Sequence, residues 1–194
     1  MRNASLERNT KETKIKVSIN LDGEGKSNIN TGIGFFDHML TALAKHGLFD
    51  LDLSCEGDLI VDTHHSVEDC GIALGKAFKE ALGNKEGIER YASFVMCMDE
   101  ALVLGATDLC GRGYFEMDYR FQAPKCGDFE TETVEEFFRS FALNAELNLH
   151  FVVRRGENAH HIIEAMFKCL AKILREAVTI NPRIKGVPST KGSL

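Results

Sequence analysis

Apolar and polar positions alternate with period two along Lys14-Ile15-Lys16-Val17-Ser18-Ile19-Asn20-Leu21, and the run ends in Asp22-Gly23-Glu24-Gly25. This pattern predicts a half-buried strand and a turn, with residues 26–31 as its hairpin partner. A helical spacing follows, started by Asp37 or an earlier residue, running through Leu43 and Ala44 and stopped by Gly47. Residues 51–54 and 58–61 are predicted strands. Asp62 then stands as the N-cap of a long helix from residue 64 to about 82, whose core face carries Val67, Leu74, Ala77, Phe78 and Ala81.

The second half begins near Gly87. Residues 94–98, 102–107 and 114–121 are rich in aromatic and branched side chains and are punctuated by Gly105, Gly111 and Gly113, so they are predicted strands. A loop with Pro124 and Gly127 precedes an amphipathic helix over 131–143 and a strand over 147–153. Asn158 caps a last long helix from His160 to about residue 178, and Pro182 and Pro188 mark an irregular tail.

The two halves repeat. At an offset of 96 (160 minus 64), Leu51 matches Leu147, Leu53 matches Leu149, Leu74 matches Leu170, Ala77 matches Ile173, Phe78 matches Leu174 and Ala81 matches Ala177. Each half therefore reads as a sheet of about four strands with two helices on one face, an α+β arrangement. Two such halves can pack helix layer to helix layer. The expected division is 1–86 and 87–180 for the half-domains and 181–194 for the tail.

Composition narrows the picture. A chain of 194 residues buries a core without staples, and its six cysteines show no C-x-x-C spacing, so they read as reduced thiols of a cytoplasmic protein. No apolar run approaches the roughly 20 residues that span a bilayer. A net charge of −6 with scattered basic residues argues against nucleic acid as a partner, while small anionic substrates need only a few local cations.

The candidate chemistry lies in the repeat itself. Asp62-Thr63-His64-His65-Ser66-Val67-Glu68 recurs as Asn158-Ala159-His160-His161-Ile162-Ile163-Glu164, and these two segments hold four of the seven histidines. Successive helical side chains turn by about 100°, so His65 with Glu68 and His161 with Glu164 are expected as i, i+3 neighbours able to share a metal. His64 and His160 point elsewhere, which suggests two metals. His38 heads the first helix of its half, and Glu136 lies near the corresponding position of the second half. Imidazole with carboxylate suits manganese, iron or zinc. His46 and His150 read as structural, and Glu12 taken alone reads as a surface charge.

Gly-Ile-Gly-Phe-Phe-Asp-His-Met-Leu (32–40), Asp-Thr-His-His-Ser-Val-Glu-Asp (62–69), His-His-Ile-Ile-Glu-Ala-Met-Phe-Lys (160–168) and Pro-Ser-Thr-Lys-Gly (188–192) together resemble the imidazoleglycerol-phosphate dehydratase family over nearly the whole chain. The resemblance implies a ribosomal protein S5 domain 2-like fold for each half. It also implies a hydro-lyase of histidine biosynthesis that converts D-erythro-imidazole glycerol phosphate to imidazole acetol phosphate, and a homo-oligomer of 24 subunits with shared active sites. Two Mn2+ per site are implied, with other divalent transition metals also suited. By position the metal ligands are His38, His64, His65, Glu68, His160, His161 and Glu164; the eighth position, commonly histidine in the family, is Glu136 here. The implied substrate contacts are Glu12, Arg90, Arg112, Lys168, Ser189 and Lys191.

The carbon that loses its proton in this reaction has no carbonyl beside it, so two metals on the nitrogens of the substrate imidazole would supply the activation. A carboxylate must accept the proton, Glu12 first, with Glu68 or Glu164 as alternatives. Two rival readings remain from the motifs alone: a metal-stapled, non-catalytic cage, and a dinuclear metal hydrolase.

Overall fold

The computed structural model describes residues 2–194. The first half runs β1 (Asn3–Asn9), β2 (Thr13–Asn20), β3 (Ser27–Asn30), α1 (Gly34–Gly47), β4 (Asp50–Gly57) and α2 (His64–Leu82). The second runs β5 (Tyr91–Met98), β6 (Ala101–Asp108), β7 (Tyr114–Asp118), α3 (Thr133–Ala145), β10 (Asn148–Arg155) and α4 (Ala159–Ala177), with a small hairpin, β8 (Lys125–Cys126) and β9 (Phe129–Glu130), inserted before α3. The sheets have orders β1-β2-β4-β3 and β5-β6-β10-β7, the same permutation twice. In each, the last pair is parallel and the others antiparallel.

Alternation sets the register. Ile15, Val17 and Ile19 of β2 lie opposite Cys55, Leu53 and Leu51 of β4, and all six are buried. A slip of one residue would turn this whole set to solvent. α2 packs on β1 and β2, α4 on β5 and β6, and the halves meet helix to helix, α2 against α3 and α1 against α4. Phenylalanines line that contact: Phe36 of α1 meets Phe137 of α3 edge-on at 5.3 Å and Phe167 of α4 edge-on at 6.4 Å between ring centroids, and Phe78 of α2 meets Phe141 of α3 at 5.7 Å. Each fully buried ring contributes about 1.5–3 kcal/mol, so apolar packing dominates the union of the halves.

Several expected elements differ. Residues 27–30 are not the hairpin partner of β2 but pair parallel with β4, because the chain must still place α1 before returning to the sheet. Residues 58–61 form a turn instead of a strand: Ile60 and Val61 are 98% and 63% exposed, with no neighbouring strand to pair with. The strand expected over 114–121 ends at Asp118. β1, in a stretch the polarity pattern left without structure, is an edge strand.

Candidate metal centre and anion cavity

The motif residues sit at helix N-termini, and each N-terminus is fixed by side chains that complete its unpaired N–H groups. Asn158 accepts from the backbone N–H of His160 and His161. Asp62 Oδ1 accepts from His64 N at 2.8 Å. The inserted β8–β9 hairpin serves both site-bearing helices of the other half. Asp128 accepts from Gly34 N and Phe35 N at the start of α1, and Glu130 accepts from Thr63 N at 3.1 Å and Thr63 Oγ1 at 2.7 Å ahead of α2. These Thr63 bonds, with the Lys125 ammonium, hold Glu130 down at about 2.

One group assembles as a metal-ligand set among the described residues: His38 from α1 with His160 and Glu164 from α4, their donor atoms all within 4.8 Å of one another. Glu164 Oε2 lies 3.0 Å from His160 Nε2 and 3.4 Å from His38 Nε2. Its other oxygen receives the Lys168 ammonium at 2.7 Å. Burial pushes the Glu164 carboxyl up, but the bonds from Lys168 and His160 outweigh it and hold the group below its ordinary value. The donor set of imidazole and carboxylate suits a divalent transition metal, and Lys168 stands on Glu164 as a cation would.

The pairing within each motif differs from the expected i, i+3 relation. Glu164 meets His160, and Glu68 lies 3.7 Å from His64, both i, i+4. His65 and His161 turn away to other carboxylates. His65 Nδ1 lies 3.0 Å from Asp58 Oδ2, with Nε2 3.9 Å from Glu12 Oε2; the Asp58 bond raises the His65 pKa. His161 Nδ1 lies 2.7 Å from Glu100 Oε2, with Nε2 3.6 Å from Asp99 Oδ2; the Glu100 bond raises the His161 pKa. Glu100, held first by the Asn158 N–H and then by His161, is brought to about 2.

Glu136 does not join a three-residue ligand group among the described residues. It lines a cavity with Tyr119, Phe121, Glu130 and Glu132. His46, at the end of α1, is lowered by burial and then by Lys168 and Lys172. His150 lies against the Tyr114 ring at 5.4 Å. Asp58, Asp99 and Glu100 are the polar residues that sequence reading passed over. Asp99 and Glu100 form the β5–β6 turn, the counterpart of the β1–β2 turn that carries Glu12, so matching the hairpin turns would have found them where a fixed offset did not.

Four of the expected substrate contacts converge. Arg90, Arg112, Ser189 and Lys191 line one cavity of about 350 Å3 beside Tyr91 and Gly111. Arg90 is clamped, giving Nε and Nη2 to Asp108 at 2.7 and 3.1 Å and Nη1 to the Pro188 carbonyl at 2.8 Å; the Asp108 bonds raise its pKa further. Its guanidinium has five N–H groups, so two remain for an anion. Ser189 Oγ accepts from Lys191 N at 3.2 Å, which leaves its hydroxyl hydrogen free to donate. The other two contacts lie apart, Glu12 beside His65 and Lys168 on Glu164.

These groups sit at opposite ends of one hairpin. The cavity gathers where β5 starts, at Arg90, and β6 ends, at Asp108, whereas His161 is held at the β5–β6 turn by Asp99 and Glu100. A strand of this length separates its ends by roughly 20–25 Å.

Comparison with known proteins agrees with the resemblance in the motifs. The family profile described as imidazoleglycerol-phosphate dehydratase matches residues 31–174. Proteins named imidazoleglycerol-phosphate dehydratase from Streptococcus mutans and Methylobacterium radiotolerans are 55% and 57% identical to the chain, each over 100% of both sequences. The crystal structure of the Staphylococcus aureus dehydratase superposes with a TM-score of 0.84 at 37% identity, covering 92% of this chain and 99% of that one. The Pyrococcus furiosus structure gives 0.84 at 38%, covering 97% and 100%.

Proposed function

Since this chain belongs to the imidazoleglycerol-phosphate dehydratase family, we propose that it dehydrates its substrate at a two-metal centre shared between copies of the chain. The reaction is that of a carbon–oxygen lyase in histidine biosynthesis: D-erythro-imidazole glycerol phosphate loses water and imidazole acetol phosphate results. The observation that carries the shared-site reading is the separation of the anion cavity from the histidine cluster by the length of β5. Imidazole glycerol phosphate is too short to bridge roughly 20–25 Å, so the phosphate end of one copy serves the imidazole end of another. Leu59, Ile60 and Val61, apolar and exposed just ahead of the first motif, support the same reading as a surface that a second copy covers. The 24-subunit assembly and a cytoplasmic setting belong to this proposal, the latter supported by six free thiols.

The residues that would hold the metals are His38, His64, His65, Glu68, His160, His161 and Glu164, with Glu136 the candidate for the position opposite His38. Bound there, a pair of divalent cations, manganese first, would supply Lewis-acid polarisation of the substrate imidazole. The chain's own groups do the rest. Arg112, Lys191, the free N–H groups of Arg90 and the Ser189 hydroxyl bind the phosphate through charge-assisted hydrogen bonds. Glu12, beside His65 and exposed, accepts the C2 proton; the C3 hydroxyl leaves with a proton as water, and the enol that remains moves its hydroxyl proton to C3 to give the ketone. Lys168 contributes a positive charge at the Glu164 end.

Incubating manganese-loaded protein with imidazole glycerol phosphate, and measuring both imidazole acetol phosphate and inorganic phosphate, tests the function. Ketone without phosphate is the expected result. Phosphate alone would point to a dinuclear hydrolase, and neither product to a non-catalytic metal-stapled cage.

A further inference from the structure

Two carboxylates that the repeat does not supply hold the second histidine of each motif by the same ring atom. Asp58 reaches His65 Nδ1 with both oxygens, at 3.0 and 3.2 Å, and Glu100 reaches His161 Nδ1 at 2.7 Å. The two carboxylates come from different places. Asp58 follows β4, seven residues ahead of its histidine, and Glu100 lies in the β5–β6 turn, 61 residues ahead. The offset of 96 puts Arg154 at the place of Asp58, and the hairpin turn that matches the one carrying Glu100 is the β1–β2 turn, whose Glu12 lies 3.9 Å from the other ring nitrogen of His65, Nε2, and does not reach Nδ1. The halves therefore reach one arrangement by separate routes, which simple inheritance of the repeat does not explain.

The chemistry of the contact fixes which atom is left over. An ionised carboxylate only accepts, so the ring hydrogen sits on Nδ1 and the lone pair of the neutral imidazole is on Nε2. In both rings Nε2 lies beyond hydrogen-bond length from the next carboxylate, 3.9 Å from Glu12 Oε2 in one half and 3.6 Å from Asp99 Oδ2 in the other. His64 and His160 differ, since each meets its glutamate through Nε2. Glu100 is itself held: its Oε1 accepts from Asn158 N at 3.0 Å and Glu157 N at 3.3 Å. Asn158 in turn accepts from the N–H groups of His160 and His161, so one carboxylate orients both the cap of α4 and the ring of its second histidine.

We propose that Asp58 and Glu100 are positioning residues that lock His65 and His161 in the Nδ1–H form, with Nε2 presented for metal ligation. The inference rests on the reading of these two histidines as ligands. Carboxylates in this role raise ligand basicity and hold the ring, and their loss weakens metal binding by about 10- to 100-fold.

The test uses the full chain with Asp58→Ala, Asp58→Asn, Glu100→Ala and Glu100→Gln, beside His65→Ala and His161→Ala. Nitrogen-15 NMR of the ring nitrogens in metal-free protein should show Nδ1 protonated in His65 and His161 of the wild type, and redistribution to Nε2 in the matching alanine variant. Manganese affinity, read by competition with a chelating dye, should fall about 10- to 100-fold in each alanine variant. It should recover in part in Asp58→Asn and Glu100→Gln, which keep an acceptor oxygen. Because Glu100 also holds the cap of α4, the Asp58 arm stands by itself should Glu100→Ala fail to fold. Weakened manganese binding in His65→Ala and His161→Ala with unchanged affinity and ring protonation in the carboxylate variants would overturn the proposal. Unchanged affinity in the histidine variants themselves would remove the ligand reading, and the proposal with it.

Discussion

The Glu12 carboxylate lies 3.9 Å from His65 Nε2, and its backbone is pinned by Thr10 Oγ1 and by Asp58 N. A side chain so placed can move to a substrate proton without disturbing a ligand's ring. Glu12→Gln should therefore cut turnover by about 10²- to 10⁴-fold, the usual span for loss of a general base, while manganese content measured by mass spectrometry stays at the wild-type level. Near-normal turnover would remove Glu12 from the role. Glu130 makes a different kind of residue-scale claim, because its lowered pKa has a sign. A carboxylate held at about 2, against 4.5 ordinarily, stabilises the fold above pH 4.5 and loses that contribution as pH falls toward 2. Thermal melts of Glu130→Gln should lie about 3–6 °C below wild type at neutral pH, and the gap should close in acid. A gap that persists at pH 2 would show that the bonds to Thr63 are not its source.

The approach of α2 to α3 is closer than that of α4 to α1, and glycines explain it. A Cβ at Gly75 would stand 2.6 Å from the Phe141 carbonyl oxygen, and one at Gly71 2.8 Å from that of Phe137. The same repeat positions on α4 are Ala171 and Phe167, and Phe167 places a ring against Phe36 where α2 has only hydrogen. Gly75→Ala gains about 1 kcal/mol of helix propensity, but the backbone it meets cannot give way cheaply, at about 1–3 kcal/mol. The variant should melt below wild type; a higher Tm would mean that the two helices part without cost. At this scale, period and repeat made the long helices and the β2–β4 register legible, since each carries a buried stripe. β1 was not legible because an edge strand that buries only Ala4 fully leaves little alternation to read. The turn after β4 was misread because its apolar run faces outward. In the site, residue types were legible and pairings were not: i, i+3 and i, i+4 are both open to a helix, and Asp58 and Glu100 decide the matter by drawing His65 and His161 aside. The β8–β9 hairpin, too short to announce itself, sets two helix starts in the other half.

For the molecule as a whole, the decisive quantity is the length of the β5–β6 hairpin. Arg112 belongs to the cavity at one end and His160 to the cluster reached from the other, so damage to each falls on a different part of a shared site. Arg112→Ala and His160→Ala should each be inactive alone, the first through loss of phosphate binding and the second through loss of a metal ligand. When the two variants are dissociated, mixed and reassembled with manganese, some sites combine an intact phosphate end from one copy with an intact imidazole end from another. Activity should then reappear, at a fraction of wild type set by the mixing ratio. Mass spectrometry of the reassembled oligomer establishes that both variants are present in one particle. Mixed particles without activity would mean that both ends of the substrate are served by a single copy, which would require β5 and β6 to bring together groups that this fold holds roughly 20–25 Å apart.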